Sequence, residues 1–95
     1  MAHQVALITG GAKRVGATTA RLLHEAGFDL MIHYRGSADA ARALSAELNL
    51  QRPDSAAIIQ ADLNDIDGLP ALVRKTVETF GGLDLLLNNA SSFYP

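Results

Sequence analysis

The sequence predicts an α/β fold built on a doubly wound parallel sheet with helices packed on both faces. Apolar runs of strand length alternate with stretches of helical period, beginning and ending with a strand. The runs of strand length are nearly continuous in apolar residues, and the last contains the consecutive leucines Leu85, Leu86 and Leu87. Strands of this kind are typical of parallel sheets covered on both sides. A glycine-rich turn after the first strand is the third indication.

Seven elements are predicted in order along the chain. The strands cover residues 4–9, 29–34, 56–60 and 83–88, and the helices cover 14–26, 38–48 and 66–80. Gly27 and the pair Gly81-Gly82 are expected to end the first and third helices, because glycine readily adopts the left-handed conformation of a helix C-terminus. Ser37 is expected to cap the second helix, and residues 49–55 form a polar connection.

Each amphipathic helix is expected to bury one stripe against the sheet. The predicted stripe of the first helix is Val15, Thr19, Leu22, Leu23 and Ala26. That of the third is Ile66, Leu69, Val73, Thr76, Val77 and Phe80.

Right-handed crossovers predict the strand order 3-2-1-4, a Rossmann-like arrangement. The order reverses at the first strand, so a crevice opens at the carboxyl ends of the strands, where doubly wound sheets bind their ligands. The turns that follow all four strands meet there.

The first of these turns has the composition of a phosphate cradle. Gly10, Gly11 and Gly16 let the backbone approach a ligand closely, and Lys13 and Arg14 add positive charge. The N-terminus of the following helix favours an anion. A strand before the turn and a helix after it are the setting in which such a loop binds a dinucleotide.

The turn after the second strand favours NADP over NAD. An NAD site usually offers an acid there to the ribose hydroxyls, whereas this chain has Tyr34, Arg35 and Ser37. Arg35, together with Lys13 or Arg14, would clamp a 2′-phosphate by charge-assisted hydrogen bonds. The alternative is that Arg35 is a solvated turn residue and Ser37 only a helix cap.

The turns after the third and fourth strands each allow two interpretations. Asp62 would accept a hydrogen bond from adenine, or it would cap the third helix. Asn88 and Asn89 would lie beneath a cofactor, or they would hold neighbouring strands together. Phe93 and Tyr94 would stack on a flat heteroaromatic substrate, or they would pack in a core or an interface.

These motifs resemble the short-chain dehydrogenase/reductase family, over essentially the whole chain as its N-terminal part. The run Thr-Gly-Gly-Ala-Lys-Arg-Val-Gly at 9–16 has Arg14 where the family has its middle glycine. Together with His33-Tyr34 and the run Asn-Asn-Ala-Ser-Ser-Phe-Tyr-Pro at 88–95, it resembles the pteridine reductase branch.

The resemblance implies roles for individual residues. Arg14 would meet the cofactor phosphates and approach the pterin, and Phe93 would sandwich the pterin ring against nicotinamide. The implied cofactor-binding residues are Gly10, Lys13, Arg14, Val15, Tyr34, Arg35, Ser37, Asp62, Leu63, Asn89, Ala90 and Ser91. Within that set, Tyr34, Arg35 and Ser37 would surround the 2′-phosphate, and Asp62 and Leu63 would hold adenine. The implied substrate-binding residues are Arg14, Ser91 and Phe93.

The family's catalytic tyrosine, with a lysine four residues later, has no match here. Tyr34 is followed at that spacing by Ala38, and Tyr94 is the penultimate residue. We therefore expect residues 1–95 to be the N-terminal, NADP-binding part of one Rossmann-fold reductase domain, inactive alone. The intact protein would be a homotetramer that reduces dihydropteridines or dihydrofolate with NADPH. The alternatives are a reductase of 3-oxoacyl thioesters or sugars, and a non-catalytic dinucleotide-binding module.

Composition argues against several classes of partner and site. The net charge of −2 argues against nucleic acid as a partner. With no cysteine, and with His3, His24 and His33 far apart in sequence, no metal site is predicted. No stretch suggests a signal peptide or membrane span, so a cytoplasmic protein is expected. The leucine-rich fourth strand would form an exposed edge, so the isolated chain is expected to aggregate.

Overall fold

The computed structural model describes residues 3–10, 14–36, 38–62 and 68–88, with only the backbone of Arg14. The strands are β1 (Val5–Thr9), β2 (Asp29–Tyr34), β3 (Ala56–Gln60) and β4 (Leu85–Asn88). The helices are α1 (Arg14–Glu25), α2 (Ala38–Gln51) and α3 (Gly68–Phe80).

The four strands form one parallel sheet in the order β3-β2-β1-β4, which confirms the predicted α/β fold and its strand order. β1 pairs on both sides: Ala6 lies opposite Leu30 of β2 and opposite Leu85 of β4. The order therefore reverses at β1, where the sequence predicts a crevice at the carboxyl ends of the strands.

Most element boundaries agree with the prediction within two residues, but α2 is longer than expected. It continues to Gln51, and the Arg52 N–H donates to the Leu48 carbonyl at 3.0 Å. The Asn49 side chain then joins this helix end to β3, because its Oδ1 accepts from the N–H groups of Ser55 and Ala56, both at 2.9 Å. Part of the predicted polar connection is therefore helix. Residues 66 and 67 of the predicted third helix lie outside the described residues.

The sheet separates two apolar layers. α1 and α2 cover one face, on which Ala6, Ile8 and Ile32 are buried. α3 covers the other face, where its Leu72 packs with Leu7 and Met31 of the sheet. All of β1 is inaccessible to solvent, as expected of a central parallel strand. On the edge strand β4, Leu85 and Leu87 are half-buried, whereas Leu86 is 40% exposed.

The predicted buried stripe of α1 is correct only in part. Leu23 packs against the core as predicted, but Val15 and Leu22 are 72% and 63% exposed and Ala26 is exposed as well. The helix instead buries Ala17, Ala20 and His24, none of which was in the predicted stripe. On α3, two predictions are likewise corrected. Leu72 is buried although it was not in the predicted stripe, and Val77 is 43% exposed. Ile66 lies outside the described residues.

Gly27 ends α1 as the sequence predicts. Its φ is +106°, its N–H donates to the His24 carbonyl, and the Phe28 N–H reaches back to the Leu23 carbonyl, both at 3.0 Å. This is the pattern of a Schellman motif, in which a left-handed residue satisfies the last carbonyls of a helix. Leu23 and Phe28 also pack against the same core, which fixes the angle at which the chain enters β2.

Arg52 and His24 close the amino edge of the sheet. The Arg52 guanidinium donates to the carbonyls of His24 (3.2 Å) and Phe28 (2.5 Å) and pairs with the Asp29 carboxylate at 3.2 Å. The buried His24 ring places Nε2 2.6 Å from the Ser55 hydroxyl, which donates to the Arg52 carbonyl. Burial, and then the nearby positive charge of Arg52, lower the pKa of His24 below its usual value, so the neutral ring is favoured.

Candidate nucleotide-binding site

The carboxyl edge of the sheet brings together the turns that the sequence singled out. Thr9, Tyr34, Gln60 and Asn88 are the last residues of the four parallel strands, so the chain leaves each strand on the same side. Gly10 follows β1 with a φ of +64°, in the left-handed region that residues with a Cβ adopt less readily. α1 begins at Arg14, and the N–H groups of its first turn have no partner within the helix.

Thr9 and Asn88 join the two strands that flank the reversal point. The buried Thr9 hydroxyl donates to the Asn88 Oδ1 at 2.7 Å. Of the two roles considered for Asn88, holding neighbouring strands together is therefore the one that its side chain performs. The ends of β1 and β4 are fixed relative to each other, next to the predicted crevice.

A second set of hydrogen bonds joins the turns after β2 and β3. The Ala61 N–H donates to the Tyr34 carbonyl at 3.1 Å, and the Gln60 amide donates to the Arg35 carbonyl at 3.0 Å. These bonds hold Arg35 and Asp62 on adjacent turns at one corner of the site.

His33 lies between these turns, and the sequence analysis used it as part of the family resemblance without predicting a role for it. Its ring is buried, with Nδ1 3.0 Å from the Gly10 N–H and Nε2 2.7 Å from the Ala61 carbonyl. The spacing of the three histidines gave no signal, because the contacts depend on how the turns after β1 and β3 meet.

The described residues account for part of the predicted site. Val15 is exposed on the first turn of α1, Tyr34 is half-buried at the end of β2, and Arg35 and Asp62 are exposed on their turns. The other predicted residues lie outside the described residues: the Arg14 side chain, Lys13, Ser37, Leu63, Asn89, Ala90, Ser91 and Phe93. Their roles remain predictions.

The acidic residues nearest to β2 in sequence, Asp29 and Asp39, each pair with an arginine away from the carboxyl end of the strand. Asp29 begins the strand and pairs with Arg52 at the amino edge, and Asp39 lies in α2, 3.5 Å from Arg42. Neither carboxylate occupies the end of β2, where Arg35 is the charged residue of the described turn at 35–36.

Comparison with known proteins agrees with this arrangement. The model of the short chain dehydrogenase family matches residues 4–93. The chain belongs to this family. Members of the short chain dehydrogenase family use nicotinamide dinucleotides, and the fold, the glycine turn and the reversal at β1 fit such a cofactor.

The curated relatives within the short chain dehydrogenase family carry two kinds of name. Pteridine reductase 1 of Leishmania tarentolae is 43% identical over 96% of this chain and 37% of its own length. A 3-oxoacyl-acyl-carrier-protein reductase of Staphylococcus aureus is 39% identical over 90% of this chain and 34% of its own. One from Synechocystis is 34% identical over 92% of this chain and 35% of its own. The chain thus spans about a third of the length of these relatives.

The described part of the chain contains neither a candidate membrane-spanning helix nor a candidate metal site. None of its helices there combines the length and apolarity needed to cross a bilayer. Among the same residues, no group of three or more histidines, aspartates and glutamates is arranged to hold a metal ion.

Proposed function

We propose that the intact protein containing this chain reduces pterins of the dihydropteridine or dihydrofolate type with NADPH. The observation that carries the proposal is the 43% identity to a pteridine reductase over 96% of this chain. The run with Arg14 in the glycine turn and the aromatic run ending at Pro95 support it. Residues 1–95 would be the N-terminal part of a single domain, supplying cofactor binding and part of the substrate site.

We propose NADPH rather than NADH as the cofactor because the residue that follows β2 is the positively charged Arg35. Arg35 is exposed on the turn held against Ala61, and the Asp29 and Asp39 carboxylates are paired elsewhere. A guanidinium binds a phosphate through charge-assisted, often bidentate hydrogen bonds, so Arg35 would bind the 2′-phosphate. Asp62, on the adjacent turn, would accept a hydrogen bond from the adenine amino group.

The residues of this chain bind and orient rather than transfer protons. The bound cofactor supplies a hydride to the substrate. The first turn of α1 would hold the pyrophosphate, Gly10 would let the backbone pass close to it, and Arg14 and Phe93 would position the pterin. Protonation would fall to the family's tyrosine, which has no counterpart in these 95 residues. We further propose a cytoplasmic homotetramer on the family resemblance.

A second candidate function is reduction of a 3-oxoacyl thioester. The relatives from Staphylococcus aureus and Synechocystis carry that name and cover nearly as much of this chain. A sugar carbonyl is a third candidate substrate to test. In these cases Phe93 would be a packing residue.

Steady-state assays of the intact protein with NADPH test the substrate. We expect turnover of dihydrobiopterin or dihydrofolate, and a selective rise in KM for the pterin of about tenfold or more in Phe93→Ala, because a stacked aromatic contact is lost. Turnover of an acetoacetyl thioester or a sugar, without any pterin turnover, would reject the pterin proposal.

Dinucleotide titrations test the cofactor. Arg35→Ala should weaken NADPH binding about tenfold or more while changing NADH binding by less than about twofold, since only NADPH carries the 2′-phosphate. Arg74→Ala, which removes an exposed arginine on α3, is the matched control and should change neither. Equal losses for both dinucleotides in Arg35→Ala would contradict the proposed role.

A further inference from the structure

His33 is buried where three turns of the carboxyl edge meet. His33 is the residue of β2 that precedes Tyr34, and it is 3% exposed. It contacts the turn after β1 through Gly10 and the turn after β3 through Ala61. One ring therefore spans the elements assigned above to pyrophosphate, 2′-phosphate and adenine.

The two hydrogen bonds fix the tautomer of the ring. Nδ1 faces an N–H group and must accept, whereas Nε2 faces a carbonyl oxygen and must donate. A ring with one donor and one acceptor is a neutral imidazole with its hydrogen on Nε2. Packing alone does not require this arrangement, because a leucine would fill a similar volume but would leave the Gly10 N–H and the Ala61 carbonyl without this partner.

The bond to Gly10 also decides which N–H groups serve an anion. Gly10 has the φ of +64° that lets the chain turn after β1, and its N–H is directed onto the His33 ring. The N–H groups of the first turn of α1, which have no partner within the helix, are donors that a phosphate could use instead. His33 thus fixes the position of Gly10, the first residue of the glycine turn.

We propose that His33 is a positioning residue of the cofactor site, setting the glycine turn through Gly10 and the adenine turn through Ala61. This inference rests on the proposed nucleotide-binding function. It assigns to His33 a role in cofactor affinity that acts through the backbone of two loops, without contact to the ligand.

Two amide substitutions separate the bonds. The Oδ1 of an asparagine lies near the position of Nδ1 and can accept from Gly10, whereas the Nε2 of a glutamine lies near the position of Nε2 and can donate to Ala61. His33→Asn therefore keeps the bond to the glycine turn, and His33→Gln keeps the bond to the adenine turn.

His24 provides a matched control. It is an equally buried histidine, 2% exposed, at the opposite edge of the sheet, where it contacts Ser55. His24→Gln can keep the donor to Ser55 but replaces a buried ring by a flexible chain, so it should cost stability through altered packing, at a position on the far side of the sheet from the turns that would bind the cofactor.

The test measures two dissociation constants in the intact protein, with unfolding in urea as the measure of stability. The ligands are NADPH and adenosine 2′-monophosphate, which lacks the pyrophosphate. We expect His33→Gln to weaken the binding of NADPH about tenfold and the binding of adenosine 2′-monophosphate less than about twofold, since the Gly10 N–H has lost its hydrogen-bond acceptor. His33→Asn should bind NADPH more tightly than His33→Gln, and His24→Gln should bind both ligands like the wild type.

The possible failures are distinguishable. If the wild type binds neither NADPH nor NADH, the proposed function fails, and the role of His33 fails with it. If the wild type binds NADPH but His33→Gln binds it equally well, only the positioning role is overturned. Equal weakening of NADPH in His24→Gln and His33→Gln would overturn it too, because both effects would then follow from stability alone.

Discussion

His24 makes the stability of the fold sensitive to acid. Burial and the positive charge of Arg52 lower the pKa of the folded-state ring below the usual value, although the Asp29 carboxylate partly opposes this. The unfolded chain therefore takes up a proton near pH 6.5 that the folded chain takes up only at lower pH. Stability is complete above the unfolded pKa and is lost as the pH falls through it toward the folded value.

Urea unfolding at a series of pH values tests this linkage. Between about pH 7.5 and 5, the free energy of unfolding should fall with acidification, and His24 should contribute a slope of at most about 1.4 kcal/mol per pH unit. His24→Gln should flatten the profile. His3→Gln, which alters an exposed histidine 3.8 Å from Asp29, is the control. Identical profiles for wild type and His24→Gln would contradict the assignment.

Individual side chains were the hardest feature to predict from sequence. Arg35 and Asp62 were placed on the correct turns because each directly follows a strand whose end could be recognised. The role of His33 could not be predicted, because its partners are backbone groups of Gly10 and Ala61, 23 and 28 residues away. Only the conformation of Gly10 and the alignment of β2 with its neighbours β1 and β3 make those groups meet on one ring.

At the level of elements, sheet order and most of the buried face of α3 were predictable, whereas the buried face of α1 was predicted only in part. Strand order follows from the alternation of strands and helices and from the handedness of crossovers, which hold for most parallel sheets. The face that α1 presents depends instead on how close the helix lies to the sheet. Ala17 and Ala20 allow a close approach, and Val15 and Leu22, which dominate a hydrophobicity pattern, consequently remain at the surface.

The end of α3 offers a sharp test of a helix C-terminus. Gly81 has a φ of +87° whereas its neighbour Gly82 does not have a positive φ, and a Cβ would meet no atom within 4 Å at either position. Gly81→Ala should therefore lower the free energy of unfolding by about 1–2 kcal/mol through backbone strain alone. Gly82→Ala should change it by less than about 0.5 kcal/mol. Equal effects in urea unfolding would show that the positive φ is not what costs stability.

At the scale of the whole molecule, β4 is one of the two edge strands of the sheet among the described residues. Within the described residues β4 pairs with β1 alone, and Leu86 on this edge is 40% exposed. Unpaired backbone groups beside exposed apolar side chains favour association between copies of a chain.

Residues 1–95 expressed alone should therefore associate as concentration rises, as measured by sedimentation. Leu86→Lys should shift the distribution toward monomer, because a charged residue on an edge strand opposes pairing. Leu50→Lys replaces a more exposed leucine, 87% exposed on α2, and should leave association unchanged. A monomeric, cooperatively melting wild-type chain would contradict this expectation.

The pairing of β1 with β4 also constrains the time at which the sheet can assemble. The Val5 N–H donates to the Asp84 carboxylate and the Val5 carbonyl accepts from the Asp84 N–H, across a sequence separation of 79 residues. During synthesis β1 leaves the ribosome first, and nearly all of these residues must follow before β4, the second strand that pairs with β1, has been made. Contacts between such distant segments close slowly, so docking of β4 onto β1 is expected to limit the folding rate.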